Sequence, residues 1–380
     1  MRDTARLPNG LVAALRPLTS DTPWIEPWRA LGVSALVANP FYEADYAVSA
    51  APAFGAGVRL LVVADRLPEE PGARLAALWP FRTLRTRWGL PLPLLMGWTH
   101  GFCPFGAPLL DAEAPERALA ALLAAPRALG LAPRLLMPNA PATGPFADLL
   151  AHSGTRSATY WRHERAVLDV TGLGAEGRAG YLGHMTGKRR RKLRLAAERL
   201  GASAPVTLET IREPGALAAA LEEYVALETG GWKGRAGTAL GHRPQEAAFM
   251  RAMVEALGAQ GRVRIDRLRR EGRTLAAAIL PLTGPEAWFL KISYDEAEAA
   301  GAPGVQLVHR LTQAILREGD LTRLDSCAAP DYRLAEMFWT GRRAIAHTLV
   351  EAAGGDPLFP LAAALERARE RVSRWRAARR

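Results

Sequence analysis

Between Arg262 and Asp295 the chain reads RVRIDRLRREGRTLAAAILPLTGPEAWFLKISYD, three β-forming runs joined by REG (Arg270 to Gly272) and TGPE (Thr283 to Glu286). Connections this short are hairpin turns, so the runs are expected to form an antiparallel meander. Two helical patterns precede it, Pro214 to Thr229 and Pro244 to Leu257, separated by LETGGWKGRAGTAL (Leu227 to Leu240). A helix entered through Pro and Gly (Gly301 to Gly319) and a strand TRLDSC (Thr322 to Cys327) follow it. Helix, loop, helix, meander, turn, helix, strand is the order of a mixed α/β layer.

The first half also alternates strands and helices. Ala56 to Asp65, Arg74 to Thr83, Pro133 to Ala140 and Ala158 to Val170 have strand character, and Pro115 to Gly130 and Phe146 to His152 have helical spacing. A long basic helix is expected from Gly174 through Leu200, then a strand at Val206 to Ile211. Arg342 to Val350 is a further strand, and a basic helix, Leu361 to Arg379, ends the pattern. At roughly 150 residues per domain, the 380 residues divide into an N-terminal domain 1–172, a C-terminal domain 173–355 and a basic helix 356–380.

Lys and Arg outnumber Asp and Glu by 49 to 38, a net charge of +11 that admits nucleic acid, anionic lipid or a phosphorylated ligand as partner. Cys103 and Cys327 make neither a disulfide framework nor a metal-ligand spacing, so a reducing compartment is expected and no metal site. The opening residues MRDTARLPNGLVAALRPL lack a signal-peptide core, and no run approaches the roughly 18 apolar residues of a spanning helix. The expectation is a cytoplasmic protein without integral membrane insertion, of undetermined oligomeric state.

The third meander run leads into a turn whose helix begins near Val305, with Pro303 suited to helix entry and Gly304 allowing close backbone approach. Unpaired N–H groups and the dipole make such an end a phosphate site. This order resembles the GNAT acyltransferase fold, in which a strand pairs with the pantetheine arm of acetyl-CoA and the next helix takes the pyrophosphate. The turn AGAPGVQL departs from the usual glycine-rich Q/R-x-x-G-x-G/A signature. A narrower resemblance rests on NPFYEADY (Asn39 to Tyr46), GKRRRKLRLAAERLG (Gly187 to Gly201), LETGGWKGRAGTAL, GRTLAAAILPL, LKISYDEAEAAGAPGVQLVHRL and LDSCAAPD. Together these are similar to the CelD-like GNAT acetyltransferases, bacterial proteins associated in part with polysaccharide biosynthesis and related to FemAB-type transferases with two GNAT-like halves.

The resemblance implies two tandem GNAT-like domains with mixed, mostly antiparallel sheets flanked by helices. It implies acetyl-CoA as co-substrate, held by Ile292, Ser293, Gly301, Pro303, Gly304, Val305 and Gln306. The acyl group would pass to an amine or hydroxyl of a small-molecule or saccharide acceptor. A FemAB-like enzyme drawing its acyl group from aminoacyl-tRNA, and a non-catalytic scaffold in polysaccharide assembly, are the alternatives.

Direct acyl transfer needs a base for the acceptor, oxyanion stabilisation and an acid for the leaving group. Glu228, at a helix end beside the glycine-rich loop, and Asp325, at a strand end, are rival bases. Lys291 and Tyr294 lie on the third run, Tyr294 as acid, although Lys291 paired with Asp295 or Asp325 is the structural alternative. Alternation puts Leu290 and Ile292 on one strand face and Lys291 and Ser293 on the other. Trp232, Lys233, Arg235 and Asp295 are expected to face acceptor or coenzyme.

Other features carry less chemistry. Cys327 has no neighbouring histidine in sequence to activate it. GHMTGKRR (Gly183 to Arg190) lacks the spacing and the Ser or Thr of a P-loop. The cations Lys188 to Arg194 read first as a solvated helix face and second as a contact for an anionic substrate or cofactor phosphate. Trp98, His100, Phe102 and Phe105 are either core or an acceptor pocket.

Overall fold

Apolar alternation in the first half produces a sheet covered by alanine- and leucine-rich helices. The computed structural model describes residues 2–329, 332–352, 354–377 and 379; Asp331, the end of LDSCAAPD, lies outside them. Strands β1 (Thr4–Arg6), β2 (Val12–Pro17), β3 (Arg59–Ala64), β4 (Leu75–Leu84), β5 (Leu94–Gly97), β6 (Leu109–Leu110) and β7 (Arg134–Pro141) accompany helices α1 (Ile25–Val33), α2 (Ala44–Phe54), α3 (Pro115–Ala128) and α4 (Pro145–His152). The order is β1-β2-β3-β4-β5-β7, antiparallel except for the β5 and β7 pair, and β6 pairs with β4. Trp98, Phe102 and Phe105 are buried here and His100 stacks on Phe54 at 4.0 Å, so this aromatic group is core packing. Burial and Arg82 lower the His100 pKa to about 3.

Strand β8 (Ser157–Asp169) carries the chain from the first compact unit to the second, the division falling between Glu164 and Arg165. The second unit, Arg165–Arg343, contains helices α5 (Ala175–Gly180), α6 (Gly187–Leu200), α7 (Pro214–Gly230), α8 (Trp232–Arg235), α9 (Pro244–Gly258) and α10 (Pro303–Glu318). Its strands are β9 (Thr207–Ile211), β10 (Val263–Arg270), β11 (Arg273–Thr283), β12 (Glu286–Trp288), β13 (Lys291–Tyr294) and β14 (Arg323–Asp325). They run β9-β10-β11-β12-β14, followed by the C-terminal part of β8, antiparallel except for β12 with β14. The expected REG hairpin forms through Glu271 (φ +50°) and Gly272 (φ +77°), two left-handed residues as a two-residue turn requires. Apolar faces of α6, α10 and the sheet enclose a core that includes Leu193, Leu268, Ile315 and Trp339.

Two expectations are corrected here. The long basic helix is interrupted: α5 gives way to a 3-10 turn, buried Met185 leads to Thr186, and the Thr186 hydroxyl accepts from Arg189 N–H to start α6 afresh. The third meander run is two strands, not one, because Leu290 N–H donates to Ile279 O while Lys291 already opposes Ile279. Two residues facing one make a bulge.

Strand β15 (Gly341–Glu351) and helix α11 (Phe359–Ala377) complete the chain, and Ala344–Arg380 groups with Met1–Glu164. Antiparallel to β7, β15 pairs Ile345 with Pro141 through to Glu351 with Arg134. Buried Glu366 of α11 accepts from Arg87 at 2.7 Å and from Trp88 Nε1 at 2.8 Å. These divisions differ from the 172/173 and 355/356 boundaries expected above, because each change of unit falls inside a strand and leaves no linker composition to read. In each unit a helix follows the antiparallel strands and leads to a strand parallel to an earlier one, β7 to β5 after α3 and β14 to β12 after α10.

Candidate functional site

Helix α7 starts with Pro214 at its first turn and turns Leu217, Leu221, Tyr224 and Glu228 inward on one face. Glu228 is therefore a buried carboxylate, which is costly unless compensated. Tyr224 Oη donates to its Oε1 at 3.2 Å and Lys233 Nζ at 2.8 Å, and Leu240 N–H donates to Oε2 at 2.9 Å. Lys291 of β13 brings its ammonium to 3.1 Å from Oε1. The stretch LETGGWKGRAGTAL is thus folded around its own glutamate. Gly234 permits this, since a Cβ there would stand 1.7 Å from the Thr229 carbonyl oxygen.

Burial alone would raise the Glu228 pKa, but Lys291, Lys233 and the Leu240 N–H together bring it below the ordinary value. Lys291 moves the other way. Burial lowers its pKa more than Glu228 raises it, with Lys233 adding to the lowering. The cluster holds an ionised carboxylate against a lysine biased towards losing its proton.

Beyond Trp288, opposite Asp325, the parallel strands part: Phe289 N–H still donates to Asp325 O at 2.8 Å, while β13 pairs with β11 alone among the described residues. Asp295 N–H donates to Leu275 O, so alternation points the peptide groups of Ser293 and Lys291 at β11. The peptide groups of Ile292 and Tyr294 then face the open side. Lys291 meets α7 through Glu228 and Ser293 shares its face; Ile292 packs into the core on the other.

Tyr294 follows Ile292 onto the α10 side, where its ring carbon would lie 3.1 Å from a Cβ on Gly304. It is therefore not brought together with Lys291. Asp325 is buried between Arg165 (2.7 Å) and Arg343 (2.9 Å), both stacked over Trp288, and accepts from Cys327 N–H at 2.8 Å. Asp295 caps the following turn by accepting from Ala297 N–H and pairs with Arg273. Trp232 is exposed, its N–H donates to Glu296 at 2.6 Å, and Arg235 pairs with the same carboxylate at 2.5 Å.

The start of α10 is packed against α6. Gly301, Pro303, Gly304 and Gln306 are buried, Val305 is half-buried, and a Cβ on Gly301 would meet Leu200 at 2.8 Å. Gln306 Nε2 donates to Leu193 O, so α6 lies along this end of the helix. The preceding turn contributes Glu296 and Glu298, the latter held by Arg270 at 2.5 Å. The expected phosphate turn is packed by protein and has acidic residues next to it.

Sequence reasoning missed Tyr224, Glu296, Arg165 and Arg343. Tyr224 was accessible, lying one helical turn before Glu228 on the same face.

Residues 187–333 match the acetyltransferase (GNAT) domain family. Among solved structures, the chain is similar to FemX at 12% identity and a TM-score of 0.55, over 89% of this chain and 98% of that one. It is similar to a C-terminal domain assigned to a lysylphosphatidylglycerol synthetase from Agrobacterium fabrum at 16% identity and a TM-score of 0.52, over 90% and 96% of the two chains. A conserved protein of unknown function from Bacteroides thetaiotaomicron is similar at 11% identity and a TM-score of 0.54, over 89% and 99%. At these identities the likeness is one of fold. A search of curated proteins finds no match. The fold is mixed α/β, with mostly antiparallel strands flanked by helices, and the second unit contains the matched domain. Among the described residues no helix is long and apolar enough to cross a membrane.

Proposed function

We propose that the second unit is an acyltransferase centre that moves an acyl group to an amine or hydroxyl by direct attack. The observation that carries this reading is the parting of β13 from β14, which among the described residues leaves the peptide edge at Ile292 and Tyr294 without a strand partner, beside Lys291. An extended acyl carrier aligns on such an edge as an added strand. Lys291 accepts the proton of the attacking group and returns it to the leaving group; the acceptor-to-acyl bond forms as the carrier-to-acyl bond breaks. Glu228 is a positioning residue, holding Lys291 at the edge, and Lys233 shares its charge. Asp325 and Tyr294 take no part in proton transfer.

The resemblance implies acetyl-CoA as carrier and a saccharide or polysaccharide precursor as acceptor. Calorimetry with acetyl-CoA tests the carrier: saturable binding weakened by a bulky residue at Ser293 supports it, and no binding at millimolar ligand removes it. The packed start of α10 favours a second reading, an aminoacyl ester carried on tRNA, because that donor needs no pyrophosphate contact there. Salt-sensitive binding of aminoacylated tRNA with transfer to an amine acceptor would select it.

A further inference from the structure

A groove of about 980 Å³ runs between α6, α10 and the outer edge of β9, away from the Glu228 cluster. Arg190 and Arg194 line it from α6, and Arg310 and Arg317 from α10. None of the residues lining it is acidic. Its floor is apolar, with Leu193, Val206 and Leu208 among the lining side chains.

Arg310 is the informative residue. It is half-buried, donates to the Val206 carbonyl, and has no carboxylate partner among the described residues. Burial lowers its pKa. Burial acts the same way on Arg264 and Arg323, yet both end raised, because Asp266 faces the first, and Glu286 and Asp169 face the second. Arg190 and Arg317 likewise pair with no carboxylate among the described residues, and Arg194 has only a 3.6 Å contact with Glu198, both side chains exposed. A buried cation without a counter-ion is costly. An anion in the groove would offset that cost.

We propose that this groove binds a small ligand bearing two linked phosphates, a diphosphate ester with an apolar or planar body. One helical turn separates Arg190 from Arg194, and about two turns, some 10 Å, separate Arg310 from Arg317. Long side chains from both helices border one groove, and guanidinium forks are suited to the oxygens of linked phosphates. The volume is at the upper end for small-molecule sites. Lys188 and Lys192 project from the opposite face of α6 by helical spacing, so the groove is not one stretch of a uniformly basic track. The inference does not depend on the acyl-donor reading.

Calorimetry of the full chain with inorganic pyrophosphate tests it. Saturable binding is expected, weakened about tenfold by Arg310→Met and further by adding Arg190→Ala, while the Lys188→Ala, Lys192→Ala double variant binds normally. Arg310→Met should melt at or above the wild-type temperature, since it removes a half-buried charge without a carboxylate. No saturable binding at millimolar pyrophosphate overturns the proposal. So does equal weakening by the opposite-face variant, or displacement of pyrophosphate by a single-stranded oligonucleotide at far lower concentration, which would make the groove a nucleic-acid track. A lowered melting temperature with unchanged binding would make Arg310 structural and also overturn it. Acetyl-CoA or aminoacyl-tRNA transfer can fail in every variant without affecting this result.

Discussion

Lys291 Nζ stands 3.1 Å from Glu228 Oε1, joining an open strand edge to the buried face of a helix. The contact sets the charge of both groups in opposite senses: Glu228 keeps the lysine pKa from falling further, and the lysine keeps the carboxylate ionised.

A pH profile of transfer follows from that pair. Activity should rise with pH as Lys291 loses its proton, with a midpoint below the ordinary lysine value of 10.5. Lys291→Met should abolish this limb and reduce kcat by about 10²–10⁴-fold, the usual contribution of a positioned acid or base. Glu228→Gln should move the limb to lower pH, because the group that raised the lysine pKa is gone. An unmoved limb in Glu228→Gln would show that the titrating group is elsewhere.

Stability carries a second signature of Glu228. Its folded-state pKa lies below the ordinary 4.5, so the unfolded chain takes up the proton first as pH falls. The stabilisation is complete above about pH 4.5 and is lost as pH drops through the folded value. Urea denaturation between pH 3 and 6 should show a shallower acid loss for Glu228→Gln than for the wild type.

Asp325→Asn separates structural from catalytic carboxylates. It leaves Arg165 and Arg343 buried beside a neutral amide and should cost about 3 kcal/mol or more in denaturant unfolding. Turnover per folded molecule, and its pH limb, should be preserved. A loss of turnover greater than the loss of folded protein would return Asp325 to the chemistry.

Gly234→Ala tests whether the loop is built around Glu228. Its new methyl would meet the Thr229 carbonyl at 1.7 Å, so α8 has to move and draw Lys233 from the carboxylate. A destabilisation of about 1–3 kcal/mol is expected, with faster amide exchange at Leu240, whose N–H donates to the same glutamate. Unchanged exchange at Leu240 would show that the loop adjusts without disturbing the cluster.

The meander, the flanking helices and the helix that follows were legible because short turns and apolar periodicity are local properties. REG marked its hairpin through Gly272 alone. Lys291, Glu228 and Lys233 could each be singled out, but their meeting could not, since Lys291 is on a strand and Glu228 on a helix far away in sequence. Arg165 and Arg343 were invisible for the same reason: nothing near either residue points to Asp325. Pro303 and Gly304 announced the helix entry of α10, but the packing of Gly301 comes from Leu200 on α6, which no local pattern shows. The bulge at Leu290 left no local mark, lying in an unbroken apolar run.

Strand β15 gives synthesis of this chain a definite order. Residues 344–351 pair with β7, and Glu366 receives Arg87, yet all of Arg165–Arg343 leaves the ribosome before them. The second unit can fold on emergence, whereas the first must wait with β7 lacking this partner until the last tenth of the chain is made. That interval exposes a bare sheet edge, and a pause or truncation before β15 leaves the earlier half of the chain, not the later, as the half that aggregates.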